Sequence, residues 1–481
     1  MEIESVSYNL ILSVDKNGVI GNGKNNLAYR SSVDLLHFQT LTSRPEVNDT
    51  QNVVVMGRRT WDSLKGRHLK NRTNLVLSNS IVLDEETSNA TTIKSWNELF
   101  DYVHTNTIRK VFIIGGKKVY EDFLKKYRGI IDKIYLTVFE SQEYRYVLNM
   151  VSKFDVDNLK KGFKLEDNIV VKDLVKTETN ARDMVIHFET YKYDTSSSER
   201  MYMRHLTNVL TQPTRVTRNG IVRSSFGLRM VYDLSDGSVP LLTTKAVAWK
   251  TCIKELLWFL KGQTNNELLK KEGVNIWSAN ASSTFLKERG LEHYKEGDLG
   301  PIYGFQWRHS GANYENMTVD YTGKGIDQIE SCLNQLLNDP YSRRIIVNSW
   351  NVSDLDKMAL PPCHILFQWY LDSKKRLWIQ LYQRSGDMFL GVPFNMFSYA
   401  VLLHLMCKKT DYKPGGIVHV IGDAHIYENH IDAVEQQLSR NPKEYPKLII
   451  DSKKEWKDYT IDDFKINDYD PHEKIFAPMS A

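Results

Sequence analysis

Short apolar runs alternate with helix-like segments through the first part of the chain. The runs are rich in β-branched residues and are bounded by Gly, Asn or Ser, which is typical of strands. The predicted strands are 8–14, 52–57, 73–78, 110–116, 132–139 and 184–193, and the predicted helices between them are 32–41, 95–103 and 117–127. Buried strands that alternate with helices predict an α/β domain with a central, mostly parallel sheet.

The pattern changes near residue 195. A short polar stretch, DTSSSER, is followed by longer predicted helices at 251–262 and 397–410 and by strands in RRIIVNSW and ILFQWYLD. This mixture predicts an α+β domain. We therefore predict two domains, 1–193 and 201–481, joined by a short linker at 194–200.

Composition narrows the class of protein. The chain has 481 residues with 41% hydrophobic content, which is enough for two cores. Its net charge is only +4 and both signs are mixed along the chain, so no nucleic acid partner is predicted. The acidic N-terminus is a poor signal peptide, and no apolar stretch approaches the roughly 20 residues that span a bilayer. These features predict a cytoplasmic enzyme without membrane association.

The four cysteines differ in their surroundings. Cys252, Cys332 and Cys407 lie in helical, partly apolar segments, which favours buried small hydrophobic residues. Cys363 follows two prolines and precedes His364, and these neighbours alone fit either a core residue or a reactive thiol. With no CxxC pair and no HExxH cluster, the sequence predicts reduced thiols and no metal site.

Arginines in two segments change this balance. A thiolate nucleophile needs positive charge nearby. DPYSRRIIVNSW carries Arg343 and Arg344, and LYQRSGD carries Arg384 next to Ser385. A solvated turn explains any one of them, but arginines together with a serine hydroxyl favour a phosphate clamp.

From about residue 199 to its end, the chain resembles thymidylate synthase. Seven motifs occur in the family's order: ELLWFLKG, DLGPIYGFQWRH, DPYSRRIIVNSWN, LDKMALPPCHILFQWY, LYQRSGDMFLGVPFN, GDAHIYENH and YDPHEKIFAPMSA. The resemblance implies that Cys363 attacks C6 of dUMP, after which C5 captures the methylene group of 5,10-methylenetetrahydrofolate. The folate also donates a hydride, leaving dTMP and dihydrofolate.

The resemblance implies further roles. Glu255 would organise proton transfer, Tyr303 would assist deprotonation at C5, and Trp277 and Asp387 would contact the folate. The residues implied to bind dUMP are Arg218, Arg343, Arg344, His364, Gln383, Arg384, Ser385, Asp387, Asn395, His425 and Tyr427. In the family the arginine pair comes from the partner subunit, so a homodimer through the C-terminal domain is implied.

Some of these roles are more specific. Asn395 would read the pyrimidine edge, and His425 and Tyr427 the ribose hydroxyl. The loop TRNGIVRSSFG is one residue shorter than the family's Arg-Thr-Gly-Thr-Gly loop, so Arg218 and Arg215 both stay candidates for the phosphate.

In the first domain, one carboxylate lies on an apolar helix face. Asp34, Phe38 and Leu41 are spaced at i, i+4 and i+7, so Asp34 is either favoured by the helix dipole or a buried functional acid. MGRRTW follows a predicted strand, where a helix N-terminus can hold phosphate, and VFIIGGKKVY contains a Gly-Gly turn. The latter is not GxGxxG, so it does not support a Rossmann fingerprint.

Residues from about 6 to 193 resemble dihydrofolate reductase through VIGNGKNNLAY, the helix of Asp34, VMGRRTWDSL, NRTNLVLS, VFIIGGKKVY and IYLTVFE. The resemblance implies NADPH-dependent reduction of dihydrofolate, in which Asp34 binds the pterin and promotes N5 protonation. The implied folate contacts are Ile11, Asp34, Phe38, Arg72, Ile114 and Thr137. The implied NADPH contacts are Ser13, Ile20, Gly21, Arg58, Arg59, Thr60, Leu77, Ser78, Asn79, Gly115, Gly116, Lys117, Lys118 and Val119, with Arg58 at the 2′-phosphate.

This domain departs from the family in two places. Ala28-Tyr29 replaces the usual Pro-Trp, and ESQEYRYVLNM lacks the usual Asp-Thr-Phe-Phe-Pro stretch. Because tyrosine can still stack and donate a hydrogen bond, we expect an active reductase.

The two reactions form a cycle, since the dihydrofolate released by one is the substrate of the other. We therefore predict a bifunctional enzyme in which a dihydrofolate reductase domain is fused to a thymidylate synthase domain. One alternative is a thymidylate synthase whose first domain keeps its fold but chiefly supports the dimer. Another is a regulatory nucleic-acid-binding protein, which the weak net charge and the lack of a basic stripe disfavour.

Overall fold

The computed structural model describes residues 6–22, 27–43, 52–83, 85–141, 151–194 and 198–479. The chain forms two compact units, residues 1–213 and 214–481. Residues 195–197 of the predicted linker and residues 142–150 of ESQEYRYVLNM lie outside the described ranges. The domain bounds drawn from the sequence stay a prediction.

The first unit is built on a sheet of eight strands. Its strands in chain order are β1 (Ser7–Asp15), β2 (Val19–Gly21), β3 (Val53–Gly57), β4 (Thr73–Leu77), β5 (Thr91–Ile93), β6 (Lys110–Gly115), β7 (Ile131–Phe139), β8 (Ser152–Lys153), β9 (Phe163–Lys176) and β10 (Ala181–Tyr193). Its helices are α1 (Ser32–Ser43), α2 (Arg58–Ser63), α3 (Glu85–Ser88), α4 (Trp96–Thr105), α5 (Lys117–Tyr127), α6 (Val156–Lys160) and α7 (Ser198–Leu210). The sheet order is β5-β4-β3-β6-β1-β7-β10-β9, and β2 pairs with β8 separately.

Hydrophobic periodicity explains the centre of this sheet. The β-branched runs form β3, β6, β1 and β7, which are joined in parallel, and β3 is buried along its whole length. The α/β architecture with a mostly parallel sheet is confirmed. β9 was not predicted, because FKLEDNIVVKDLVK carries charges throughout and is largely exposed. It lies at the sheet edge, antiparallel to β10, where such charges stay solvated.

The second unit mixes helices with a sheet of six strands. Its strands are β11 (Thr214–Thr217), β12 (Gly220–Asp233), β13 (Ile346–Asn348), β14 (His364–Leu371), β15 (Arg376–Asp387), β16 (Lys413–Tyr427), β17 (Lys447–Ile450) and β18 (Phe464–Asn467). Its helices are α8 (Trp249–Leu260), α9 (Asn266–Lys271), α10 (Ser283–Glu288), α11 (Tyr303–His309), α12 (Gln328–Asn338), α13 (Gly391–Thr410) and α14 (Ile431–Leu438). The sheet order is β11-β12-β16-β15-β14-β13, while β17 pairs with β18.

Two predicted elements have different bounds here. The strand predicted in RRIIVNSW is limited to β13, because the arginines before it lie in an exposed turn. Helix α13 begins at Gly391, earlier than the predicted 397, because Pro393 falls in its first turn, where its missing N–H costs no helical hydrogen bond. Among the described helices, none combines the length and apolar character that a membrane crossing requires.

Candidate active sites

A cavity of about 1240 Å³ opens in the first unit beside the ends of β1, β3 and β6. The residues predicted to bind NADPH that line it are Ser13, Ile20, Gly21, Arg58, Arg59, Thr60, Leu77, Gly116, Lys117, Lys118 and Val119, together with Ile114 from the predicted folate set. The lining residues that sequence reasoning missed are Leu12, Leu27, Gly57, Ser63, Tyr120, Glu121, Asp122, Lys125 and Ser152. Four of these, Ser63, Tyr120, Glu121 and Asp122, follow predicted residues within one helical turn, which is the signal that could have found them.

One wall of this unit carries a cluster of hydrogen-bond donors. The Arg58 guanidinium donates to Ser80 Oγ at 3.0 Å, and Ser80 Oγ lies 3.2 Å from Ser78 Oγ. Arg58 is exposed enough to reach a ligand, and its Nε lies 3.9 Å from Asp62 Oδ2. Arginine and hydroxyl donors suit phosphate oxygens, so the cluster fits a phosphorylated ribose. Ser80 was missed by the sequence reasoning, and Asn79 lies between the two serines.

Glycines let two backbone segments approach closely at this cavity. Gly115 has φ +112°, and a Cβ placed there would lie 3.0 Å from the Tyr120 ring. A Cβ on Gly57 would lie 2.8 Å from Val119. The Gly115–Gly116 peptide is cis, and α5 begins directly after it. The N–H groups at this helix start, with the lysines in its first turn, fit a pyrophosphate group.

Asp34 is buried on α1. It is 8% exposed, whereas the neighbouring Leu35 and Leu36 are 53% and 63% exposed, the reverse of an ordinary amphipathic helix. Burial raises the pKa of Asp34 to about 6, and a hydrogen bond with Thr137 opposes the rise. Of the two alternatives that the sequence left open, the structure fits the buried acid. Its backbone N–H donates to the Ser31 side chain at 3.1 Å, which fixes the helix start.

Most of the remaining predicted folate residues lie in or next to an apolar cluster. Ile11, Phe38 and Ile114 pack in it, and the Ile11 carbonyl accepts a hydrogen bond from Tyr120 at 2.7 Å. Arg72 is buried with its guanidinium 5.7 Å from the centre of the Phe38 ring. It donates to the Lys70 carbonyl at 2.9 Å and to Thr42.

In the second unit, Cys363 lies just before β14 and is partly exposed, unlike the three other cysteines. Its N–H donates to the Tyr303 hydroxyl at 2.7 Å, and its carbonyl accepts the Arg384 N–H at 2.8 Å. The Arg384 guanidinium donates to the carbonyls of Pro361 and Pro362, each at 2.9 Å. The two prolines therefore hold the loop so that a cation lies beside the thiol.

Burial and charge act in opposite directions on this thiol. Burial raises the pKa of Cys363, while Arg384 and the Tyr303 hydroxyl lower it. Burial lowers the pKa of His364 to about 4, so this imidazole is neutral at physiological pH. Cys363 is thus a partly exposed thiol that lies beside the positive charge of Arg384 and next to the neutral His364 imidazole.

Amide side chains line the next part of the pocket. Gln383 is buried on β15, and its Nε2 donates to the Ser385 carbonyl and to Asn395 Oδ1, both at 2.9 Å. Asn395 lies near the start of α13. This pair presents donors and acceptors in fixed positions, which can read the edge of a heterocyclic base.

A carboxyl group with a raised pKa lies on α8 and is partly exposed. Glu255 accepts a hydrogen bond from the Trp277 indole at 2.7 Å, and burial raises the pKa of Glu255 to about 7. Trp277 in turn packs edge-on against Tyr303, with ring centres 5.9 Å apart. A carboxyl group that titrates near neutral pH can hold or release a proton during a reaction.

Further polar side chains lie at the carboxyl-terminal ends of β15 and β16. Asp387 accepts the N–H groups of Phe389 and Leu390 at 2.8 and 3.2 Å. The His425 ring lies 3.4 Å from the Asp423 carboxylate and 5.2 Å, centre to centre, from the ring of Tyr427.

Besides Arg384, four arginines are candidates for the phosphate, and they differ in their partners. Arg215 forms an ion pair with Asp423, whereas Arg218 is exposed and donates to Asn219 at 3.0 Å. Burial and the charge of Asp387 raise the pKa of Tyr427, and Arg218 opposes them, so Arg218 lies near Tyr427. Arg343 and Arg344 are exposed. Within the described residues, no hydrogen bond or ion pair joins their side chains to the Cys363 pocket of the same chain.

Sequence reasoning assigned no role to two buried groups of this unit. Lys245 donates to the Phe389 carbonyl, lies 3.4 Å above the Phe389 ring, and has a pKa lowered by burial to about 7. His419 on β16 hydrogen-bonds Gln383. A lysine and a histidine inside otherwise apolar strings were the available signal. Across the ranges that the structure describes, no group of three His, Cys, Asp or Glu residues could hold a metal ion.

Comparisons with known proteins agree with this geometry. The family model of dihydrofolate reductase matches residues 7–155, and that of thymidylate synthase matches residues 200–481. The bifunctional dihydrofolate reductase-thymidylate synthase of Zea mays is 39% identical over 506 residues, covering 98% of this chain and 95% of that protein. Proteins of the same name from Leishmania major and Paramecium tetraurelia are 35% and 36% identical and cover 99% of this chain, and the matches span 95% and 99% of their own lengths. The chain therefore belongs to the family of bifunctional dihydrofolate reductase–thymidylate synthases.

Proposed function

We propose that the chain carries out both reactions of its family with the residues described above. It methylates dUMP to dTMP with 5,10-methylenetetrahydrofolate, and it reduces the resulting dihydrofolate to tetrahydrofolate with NADPH. The observation that carries the proposal is the presence, in one chain, of a reachable thiol beside Arg384 and a buried acid, Asp34.

In the reductase unit, the cavity residues hold NADPH, which supplies the hydride. Arg58, Ser78 and Ser80 receive the 2′-phosphate, and the start of α5 receives the pyrophosphate. Asp34 binds the amidine edge of the pterin, and because burial raises its pKa to about 6, it can take up a proton just below neutral pH. This proton can then be delivered toward N5.

In the synthase unit, the Cys363 thiol loses its proton to water and its sulfur adds to C6 of dUMP. The C5–C6 π bond breaks, and its electrons move toward the C4 carbonyl, so that C5 becomes the nucleophile that takes the methylene group. Arg384, with the phosphate of the nucleotide, orders the loop that carries the thiol. Asn395 hydrogen-bonds the edge of the pyrimidine ring. Glu255 donates and accepts protons at the pyrimidine carbonyl, and Tyr303 assists proton removal from C5. The sulfur–C6 bond breaks when dTMP leaves.

We also propose that the chain works as a homodimer through its second unit, with Arg343 and Arg344 completing the partner's phosphate site. Their exposure supports this arrangement, as do the exposed apolar side chains of Val216, Phe226 and Tyr370 on strands of the same sheet. A cytoplasmic location and independence from nucleic acid stay predictions.

Two single variants test the assignments. Cys363→Ser should lower dTMP synthesis by roughly a thousand-fold or more, because the alcohol is a far weaker nucleophile, and should leave NADPH oxidation with dihydrofolate unchanged. Asp34→Asn should do the reverse. Surviving synthesis in Cys363→Ser would refute the nucleophile. A wild-type protein that makes dTMP but oxidises no NADPH would favour the alternative of a purely supporting first domain.

A further inference from the structure

The buried histidine on β16 has no part in the mechanism above. His419 is 0% exposed, and its Nε2 lies 2.8 Å from Oε1 of Gln383. Strands β15 and β16 are parallel, and the partner of His419 across the ladder is Leu381. His419 and Gln383 are therefore diagonal neighbours on one face of the sheet. A fully buried polar ring in a strand needs a partner, and Gln383 is that partner.

The hydrogen bonds of Gln383 decide where the proton of His419 lies. Gln383 Nε2 donates to both the Ser385 carbonyl and Asn395 Oδ1, so its Oε1 faces His419. An amide oxygen can only accept, so His419 Nε2 must carry the hydrogen. His419 Nδ1 has no hydrogen-bond partner among the described residues, in keeping with a neutral ring.

This chain of contacts reaches the amide of Asn395, which also interacts with His364. Because Asn395 Oδ1 accepts from Gln383, its orientation is set and Nδ2 faces the other way. A uracil ring offers a carbonyl at C4 and an N–H at N3, whereas cytosine offers an amine and a bare nitrogen at the same places. Turning the Asn395 amide by 180° would exchange its donor and acceptor, and with them the ring that it matches.

We propose that His419 is a positioning residue that, through Gln383, holds the Asn395 amide in the orientation that selects uracil over cytosine. The inference rests on the proposed function of Asn395 at the pyrimidine edge. His419 acts at a distance, since its contact is with Gln383.

The test measures nucleotide preference in the full-length protein. Dissociation constants for dUMP and dCMP are compared by calorimetry, and kcat/KM for dUMP is measured alongside. In His419→Phe, the buried oxygen of Gln383 loses its donor, and the preference for dUMP over dCMP should fall about ten-fold or more. His419→Gln can place an N–H near the same oxygen and should keep more of the preference, which a merely space-filling role would not explain.

Two further variants keep the test decisive if His419→Phe does not fold. Gln383→Glu retains the acceptor for His419 but loses both N–H donors, so it should also lower the preference about ten-fold. His404→Phe removes another largely buried imidazole of α13, beside a small cavity lined by Cys407 and Tyr412, and should leave the preference unchanged.

The outcomes separate the inference from the proposed function. Unchanged preference in His419→Phe, or in Gln383→Glu if the first variant is unfolded, would overturn the inference while dUMP binding by the wild type kept the proposed function. Wild-type protein that binds neither nucleotide would overturn both. Melting temperatures identify the variants that fold.

Discussion

At the scale of single residues, the protein contains two acids whose environment raises their pKa toward neutral pH. Asp34 is buried beside exposed leucines, and Glu255 is partly exposed and accepts a hydrogen bond from the Trp277 indole. Burial penalises the charged form of both carboxyl groups, which gives each a proton to supply.

The Asp34 carboxyl group should make stability depend on pH. Its folded pKa of about 6 exceeds its unfolded value near 3.8, so its stabilising effect is fully present below pH 3.8 and is lost as pH rises through 6. Relative to Asp34→Asn, the wild type should lose up to about 3 kcal/mol of unfolding free energy between pH 4 and pH 8. Urea unfolding of the first unit at both pH values measures the difference, and equal differences would contradict it.

The rate at which the Cys363 thiol is alkylated should rise only at high pH. Because burial outweighs Arg384, its pKa lies above the ordinary value of 9.0. We expect the rate of alkylation by iodoacetamide to keep rising above pH 9 in the ligand-free protein. Cys363→Ser is the control, since the other thiols are buried. A rate that levels off below pH 8 would show that Arg384 dominates.

The sequence indicated which residues form the sites, but it did not show the contacts that position them. The motif around Cys363 indicated a reactive thiol, but not that the preceding prolines accept hydrogen bonds from Arg384. The local sequence around Ser80 and His419 does not reveal their partners, because these partners lie 22 and 36 positions away. Pairings over such distances in sequence are set by strand register, which a single sequence does not display.

At the scale of elements, Tyr29 connects the sheet to a turn at the cofactor cavity. Its hydroxyl donates to Asp15 at 2.9 Å, and its ring stacks on Phe139 with centres 5.0 Å apart. Asp15 also accepts the backbone N–H groups of Asn17 and Val19. This carboxylate therefore holds the turn that leads into β2, whose residues line the cavity. The tyrosine found in place of the family's usual tryptophan thus acts as an anchor.

Removing this hydroxyl should weaken NADPH binding. Tyr29→Phe keeps the stacked ring but loses a hydrogen bond to a charged group, so KM for NADPH should rise roughly three- to ten-fold while dTMP synthesis stays constant. Tyr412→Phe is a matched control, because it removes a hydroxyl that donates to the Leu336 carbonyl in the other unit. An unchanged KM would show that the turn is held without Tyr29.

Element prediction succeeded where burial was uniform. The Val- and Ile-rich central strands were found because both of their faces are apolar, whereas β9 was missed because its edge position tolerates charge. The start of α13 was placed late because Gly391 and Pro393 are usually breakers, and only the structure shows them in a first turn.

At the scale of the whole molecule, the synthase site as proposed belongs to two chains. Arg343 and Arg344 are exposed in the chain that supplies Cys363, so a lesion in the arginines and a lesion in the thiol affect different sites of a mixed dimer. This separation can be measured.

Mixing two inactive proteins should restore synthesis. Cys363→Ser and the double variant Arg343→Ala/Arg344→Ala, unfolded and refolded together in equal amounts, should recover about a quarter of wild-type activity, since half of the dimers then hold one intact site. Cys363→Ser mixed with Arg384→Ala is the matched control and should recover nothing, because both residues serve the same subunit's site. Recovery in neither mixture would place the arginines in their own chain's site or exclude the dimer.

The parallel pair β15 and β16 restricts how the second unit can change in length. Gln383, Ser385 and Asp387 face one side of β15, and their ladder partners on β16 are Ile421, Asp423 and His425. Inserting or deleting one residue within either strand would turn every later side chain to the opposite face. Insertions and deletions among relatives should therefore cluster in the connecting loops and be absent from 383–387 and 419–427. In this part of the molecule, a substitution changes one side chain, whereas a change in length would displace all those that follow.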